Sequence, residues 1–189
     1  MARYVYAKKQ LAHNLGVTFY EYQYPASTNT KFLQDVIQNL NQRRDVDGII
    51  VQLPLPSTQH VISVLSLEHI DSSAVLDTIN PSKDVDGCHS TNQGLLYSGK
   101  FESLTNIPCA ALAMVHFLQI SFRMSILQFF VLFPLPHSYS IPTRGKRAVI
   151  IGNSALVGYP CFCLLERMGS TCTIVHKDTP DIPSLTREV

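Results

Sequence analysis

The chain is short of net charge. Its 15 Lys and Arg against 14 Asp and Glu leave +1, and only 15% of its residues are charged. It therefore has no basic footprint for nucleic acid. It also lacks a paired-cysteine metal pattern: the five cysteines are Cys88, Cys109, Cys161, Cys163 and Cys172, and Cys161-Phe162-Cys163 is one residue too tight for Cys-x-x-Cys. No metal site is expected. No secretory or other targeting peptide is visible at the amino end, which runs straight into Tyr4 and Lys8, so the thiols read as reduced and the protein as intracellular. A membrane-length apolar run is missing too. The strongest one, Ile126-Leu127-Gln128-Phe129-Phe130-Val131-Leu132-Phe133, ends at Pro134 and is interrupted around Arg123, Ser125 and Gln128, whereas a span needs about 20 apolar residues. No membrane partner is expected.

What is present is enough apolar material for a core, 46% of 189 residues, one good core or two small ones. The chain is organised around residues 45–56, Asp-Val-Asp-Gly-Ile-Ile-Val-Gln-Leu-Pro-Leu-Pro. Ile49-Ile50-Val51 reads as a buried strand that stops at Gln52, because Pro54 and Pro56 cannot continue a central ladder. An amide is thus held at the carboxyl end of a strand, where open α/β sheets put their ligands.

Around it the pattern alternates. Tyr4, Lys8, Leu11 and Leu15 recur at helical spacing over residues 2–15, with Gly16 as the stop. Residues 17–22 alternate like a strand, and Thr30 is placed to cap a helix over 31–43. Asn80-Pro81 ends any helix that precedes it. Ala148-Val149-Ile150-Ile151 and Ser170-Thr171-Cys172-Thr173-Ile174-Val175 read as strands either side of a helix. The fold class is α/β with a parallel sheet. Gly152-Asn153-Ser154-Ala155-Leu156-Val157-Gly158 resembles a phosphate turn without the standard G-x-G-x-x-G spacing.

Tyr4-Val5-Tyr6-Ala7-Lys8-Lys9, then Val51-Gln52-Leu53-Pro54-Leu55-Pro56, then Lys83-Asp84-Val85-Asp86-Gly87 with Asn92 and Gly94, then 145–160 come in that order. In this the chain resembles the methylenetetrahydrofolate dehydrogenase/methenyltetrahydrofolate cyclohydrolase family. The resemblance implies an N-terminal parallel α/β folate-binding domain at 1–118, with a helix over 68–79 and another from near Ala111 to near Gln119, and an incomplete NAD(P)-binding Rossmann domain at 141–189. It implies oxidation of 5,10-methylenetetrahydrofolate with NAD(P)+ and hydrolysis of 5,10-methenyltetrahydrofolate to 10-formyltetrahydrofolate.

By position, Lys8 serves the cyclohydrolase step, Gln52 hydrogen-bonds it, and Asp86 takes the pterin ring. Tyr4 packs on the folate's aromatic portion, and Val51 and Leu53 complete the substrate contacts. Gly152, Asn153, Ser154 and Gly158 hold the dinucleotide, with Asn153 where the family commonly has arginine. Lys177 is placed for a 2′-phosphate, which favours NADP with NAD possible. The resemblance also implies a homodimer in the full-length family and a cytoplasmic or mitochondrial location. A short-chain dehydrogenase, which also uses Tyr-x-x-x-Lys, is excluded by order: there the glycine-rich turn precedes the pair.

The chain departs from the family at Pro108-Cys109-Ala110-Ala111-Leu112-Ala113, where alanines replace threonine, proline and glycine. Residues 57–67 and 120–140 look like insertions, the first reading either as an extra strand or as unspliced or misassigned coding sequence. The chain is expected to be truncated at both ends. The alternative to an active enzyme is therefore an inactive or partner-binding fragment from a truncated or mis-spliced gene product.

Overall fold

The computed structural model describes residues 2–55, 70–119 and 141–189. The interposed segments expected at 57–67 and 120–140, with the apolar run beginning at Ile126, lie outside the described residues. The elements in order are α1 (Ala2–Asn14), α2 (Thr30–Gln42), α3 (Ser72–Leu76), α4 (Ser90–Tyr97), a 3-10 turn (Phe101–Ser103), α5 (Cys109–Gln119), β1 (Arg147–Ile151), α6 (Gly158–Arg167), β2 (Thr171–Val175) and α7 (Ile182–Arg187). The fold is α/β. Among the described residues, no helix is long and apolar enough to cross a membrane.

Two apolar cores hold the elements. The first packs Ile37 of α2 against Val46, Ile49, Ile70, Val75 and Ile79, with Leu33 and Leu40 at its margin. Leu33, Ile37 and Leu40 fall at i, i+4 and i+7, so one stripe of α2 turns inward. Asn41 joins α2 to the chain after α3: its Nδ2 donates to the Thr78 carbonyl at 2.7 Å and its Oδ1 accepts from the Asn80 N–H at 2.9 Å. The second core gathers Leu96 of α4, Ala111 and Val115 of α5, Ile150 of β1 and Cys161, Leu164 and Leu165 of α6. Here β1 and β2 run parallel, Arg147 opposite Thr171 and Ile151 opposite Val175.

Four local expectations are corrected. Residues 17–22 form no strand, because a strand exists only where a neighbour completes its ladder. They are tied instead by side chains: Lys9 to Glu21 at 3.3 Å, and Arg43 donating to Tyr22 Oη at 3.1 Å. The central strand shrinks to one parallel bridge, Ile49 with Asp84. Ile49 is buried but Ile50 is exposed, so one face is covered. The cap of α2 is Asn29, whose Oδ1 accepts from the Phe32 N–H at 2.8 Å. Thr30 is helical, and its hydroxyl accepts from the Asp71 N–H at 3.0 Å. The helix expected over 68–79 is the five-residue α3 within the described residues, capped by Asp71, whose Oδ1 accepts from the Ala74 N–H at 3.0 Å. A short polar side chain at that position competes for the backbone and sets the start.

Helix α1 ends as expected, with Gly16 at φ 71°, a left-handed position that suits glycine. Its apolar stripe does not enter either core: Leu11 and Leu15 are 59% and 64% exposed.

Candidate active site

The Ile49–Asp84 bridge decides the site. Ile49 donates its N–H to the Lys83 carbonyl at 2.7 Å, and its carbonyl accepts from Val85 at 3.5 Å. The two segments run in the same direction, so Gln52 and Asp86 emerge at the same end. Gly48 permits the approach, since a Cβ there would collide with the Val85 side chain. Helix α1 brings the third group: Lys8 Nζ donates to Gln52 Oε1 at 3.5 Å, across 44 residues of sequence. Gln52 Nε2 donates in turn to the Leu53 carbonyl at 3.4 Å. Tyr4, one turn before Lys8, is 73% exposed. Val51 packs at the edge of the first core, and Leu53 is half-buried.

The two aspartates of the Lys83-Asp84-Val85-Asp86-Gly87 stretch divide their roles. Asp84 is 1% exposed. Its carboxylate accepts from the Cys88 N–H at 3.1 Å, the His89 N–H at 2.8 Å and Asn92 Nδ2 at 2.8 Å. Asn106 Nδ2 donates to its carbonyl at 3.0 Å. Lys83 reaches the other way, donating to the Asn41 carbonyl at 2.9 Å and the Arg43 carbonyl at 2.7 Å at the C-terminal end of α2, where a cation is favoured. Asp86 is left half-buried with no hydrogen bond to its carboxylate among the described residues. Burial pushes its pKa up from 3.8; the nearby Lys8 charge opposes this and the Asp84 charge adds to it. An unspent, partly buried carboxylate with an ammonium nearby is the kind of group that can accept donors from a ligand.

Of the residues singled out from the sequence, the structure brings Lys8 to Gln52 and sets Asp86 at the same end of the bridge, while the supporting contacts of Asp84, Lys83 and Asn92 were not foreseen. The signal was available: two carboxylates at i and i+2 beside a turn point to opposite sides, and one must be satisfied internally. Asp45, in the preceding Asp-Val-Asp-Gly stretch, is ion-paired with Arg43, which holds its carboxyl down to about 2.

A second cleft, about 500 Å³, opens at the carboxyl ends of β1 and β2, lined by Ile151, Gly152, Asn153, His176, Lys177, Asp178 and Ile182. Gly152 takes φ 109° with open space where a Cβ would stand. Gly158 has none: a Cβ there would overlap the Gly152 carbonyl oxygen. Ser154 Oγ accepts from the Val157 N–H at 3.2 Å and the Gly158 N–H at 3.3 Å, and its own proton remains available to a ligand. Turn 152–158 contains no acidic residue. A pyrophosphate fits such a helix start, reached by a close glycine crossing. Gly158→Ala is expected to push the turn apart, lowering stability by about 2 kcal/mol. A melting curve beside a dinucleotide titration measures both; an unchanged midpoint with unchanged binding contradicts the close-crossing role.

Comparison with known proteins bears on both clefts. Residues 1–86 match the tetrahydrofolate dehydrogenase/cyclohydrolase catalytic domain, and residues 131–189 match the NAD(P)-binding domain of the same family. The chain belongs to this family. Among curated relatives it is 33% identical to the bifunctional protein FolD of Prochlorococcus marinus over 185 residues, 98% of this chain and 50% of the relative. It is 35% identical to FolD of Desulfovibrio desulfuricans over 183 residues, 95% of this chain and 53% of the relative. Among solved structures, the Campylobacter jejuni FolD methylenetetrahydrofolate dehydrogenase/cyclohydrolase superposes with TM-score 0.74 at 32% identity, covering 95% of this chain and 53% of that one. The Trypanosoma brucei FolD enzyme, complexed with NADP cofactor and inhibitor, gives 0.78 at 29%, covering 98% and 53%. The chain spans about half the length of the curated family relatives it matches.

Proposed function

We propose that this chain carries the family's one-carbon folate chemistry: oxidation of 5,10-methylenetetrahydrofolate with NADP+ or NAD+, and hydrolysis of 5,10-methenyltetrahydrofolate to 10-formyltetrahydrofolate. The observation that carries this is the meeting of Lys8 and Gln52 at 3.5 Å beside the unspent carboxylate of Asp86. In this reading Asp86 accepts paired N–H donors from the aminopyrimidinone edge of the pterin. The exposed Tyr4 ring lies against the aromatic portion of the folate, and Val51 and Leu53 wall the pocket. Gln52 holds the Lys8 ammonium at one position, from which Lys8 moves the proton that accompanies opening of the methenyl bridge by water. Gly152, Asn153, Ser154, Gly158 and Lys177 would hold the dinucleotide, which when bound supplies the hydride acceptor. The proposed division keeps residues 1–118 as the folate half and 141–189 as the dinucleotide half, with α5 packed against α6 between them. The family resemblance further suggests a homodimer and a cytoplasmic or mitochondrial location, which light scattering and fractionation test.

The deciding experiment is thermal melting with and without a tetrahydrofolate analogue, since a ligand of the native state must raise the midpoint. An upward shift supports the assembled folate cleft; an unmoved cooperative melt refutes it.

Asp86 gives a sharper result. Its pKa is raised in the fold, so its ionisation disfavours the native state as pH climbs above 3.8, and whatever stability its protonated form contributes is present below that value and lost above it. Asp86→Asn is therefore expected to melt higher than the parent at pH 7, with the gap closing toward pH 4, while losing about tenfold or more in folate affinity. Unchanged affinity would refute the binding role.

A further inference from the structure

The dinucleotide cleft holds two opposite charges where one is usual. β2 ends at Val175, and the three residues that follow, His176, Lys177 and Asp178, all line the cleft opposite Gly152 and Asn153. In sheets of this type, a carboxylate beyond the second strand hydrogen-bonds the adenosine ribose hydroxyls, and a cation there accommodates a 2′-phosphate. This chain places a cation and a carboxylate side by side.

The contacts leave both charges free. His176 Nδ1 accepts from the Asp178 N–H at 3.3 Å. A ring nitrogen that accepts carries no proton, so it gives nothing to the Asp178 carboxylate 3.8 Å away, which is 73% exposed. Neither the Asp178 carboxylate nor the Lys177 ammonium has another hydrogen-bond or ion-pair partner among the described residues. The facing turn adds no charge, since Asn153 and Ser154 are neutral.

We propose that Asp178 is a selectivity residue opposing Lys177: it receives the ribose hydroxyls of the unphosphorylated dinucleotide and repels a 2′-phosphate, leaving the cleft with little discrimination between NAD+ and NADP+. The inference rests on reading this cleft as the dinucleotide site. Lys177 and Asp178 act on the same oxygen-bearing corner of the ribose with opposite sign, so removing either unmasks the other. A like charge at about 4 Å in a water-facing cleft is worth about fivefold to tenfold in affinity.

The test is calorimetric titration of the full 189-residue chain with NAD+, NADP+, 5′-AMP and adenosine 2′,5′-bisphosphate. The parent is expected to hold NAD+ and NADP+ within about fivefold of each other. Asp178→Asn should tighten NADP+ and the bisphosphate about tenfold and weaken NAD+ several-fold, and Lys177→Gln should do the reverse. The NADP+ gain in Asp178→Asn should shrink as salt rises. An unchanged ratio in Asp178→Asn, or equal losses for all four ligands, overturns the selectivity role while leaving the dinucleotide site standing. No binding of any of the four by the parent overturns that site and the proposal with it.

Discussion

Lys8→Met is expected to abolish hydrolysis of the methenyl bridge, by about 10²–10⁴-fold, while part of the dehydrogenase rate survives. The asymmetry follows from position. Lys8 arrives on α1 and meets Gln52 across 44 residues, so its amine is presented at the proposed folate cleft and takes no part in lining the proposed dinucleotide cleft. Methionine keeps the length and apolar stem and removes the proton. Separate dehydrogenase and cyclohydrolase assays on the same preparation check it. Equal loss of both activities would mean that Lys8 holds the substrate or the fold and does not move a proton.

The largest stability effect is expected at Asp84. Alanine there takes the acceptor from three donors at once, the N–H groups of Cys88 and His89 and one of the two N–H bonds of Asn92 Nδ2, whose other partner is the Pro81 carbonyl, around a carboxylate 1% exposed to water. Unsatisfied buried donors cost more than the hydrogen bonds were worth. Asp84→Ala should therefore lose on the order of 3 kcal/mol by denaturant unfolding. Asp84→Asn keeps one acceptor oxygen and should lose less. Because the same carboxylate anchors the turn that carries Asp86, folate affinity should fall in step with stability. Loss of stability with folate affinity intact would show that Asp86 is positioned by something else.

How much was legible follows from the range of each signal. The parallel strands at 147–151 and 171–175, the helices α1 and α2 and the glycine turn were readable because period, cap and apolar run are local properties, whereas α5 was implied by the family resemblance. The strand expected over 17–22 was wrong for a reason of the same kind: alternation states a preference, and only a partner can satisfy it. Thr30 and Asn29 are both good caps, and a one-residue choice between them depends on Thr30 being drawn to Asp71, 41 residues away. Ala111, read only as a departure from the family's motif, is fully buried in the second core, where a small side chain fits.

By itself the amino-acid sequence determined the α/β class, the family, and which residue types stand in the candidate sites, since those rest on spacing and order along one chain. The tertiary structure alone decided that Asp84 is spent on the backbone while Asp86 is free, and that Lys177 and Asp178 share one cleft; it also brought Lys8 to Gln52 at 3.5 Å across 44 residues, as the resemblance implied. Each of those is a distance between groups far apart in sequence or a choice of side for neighbours in it. A carboxylate's role depends on who else donates to it, and that is settled only when the Ile49–Asp84 bridge and the two cores have closed.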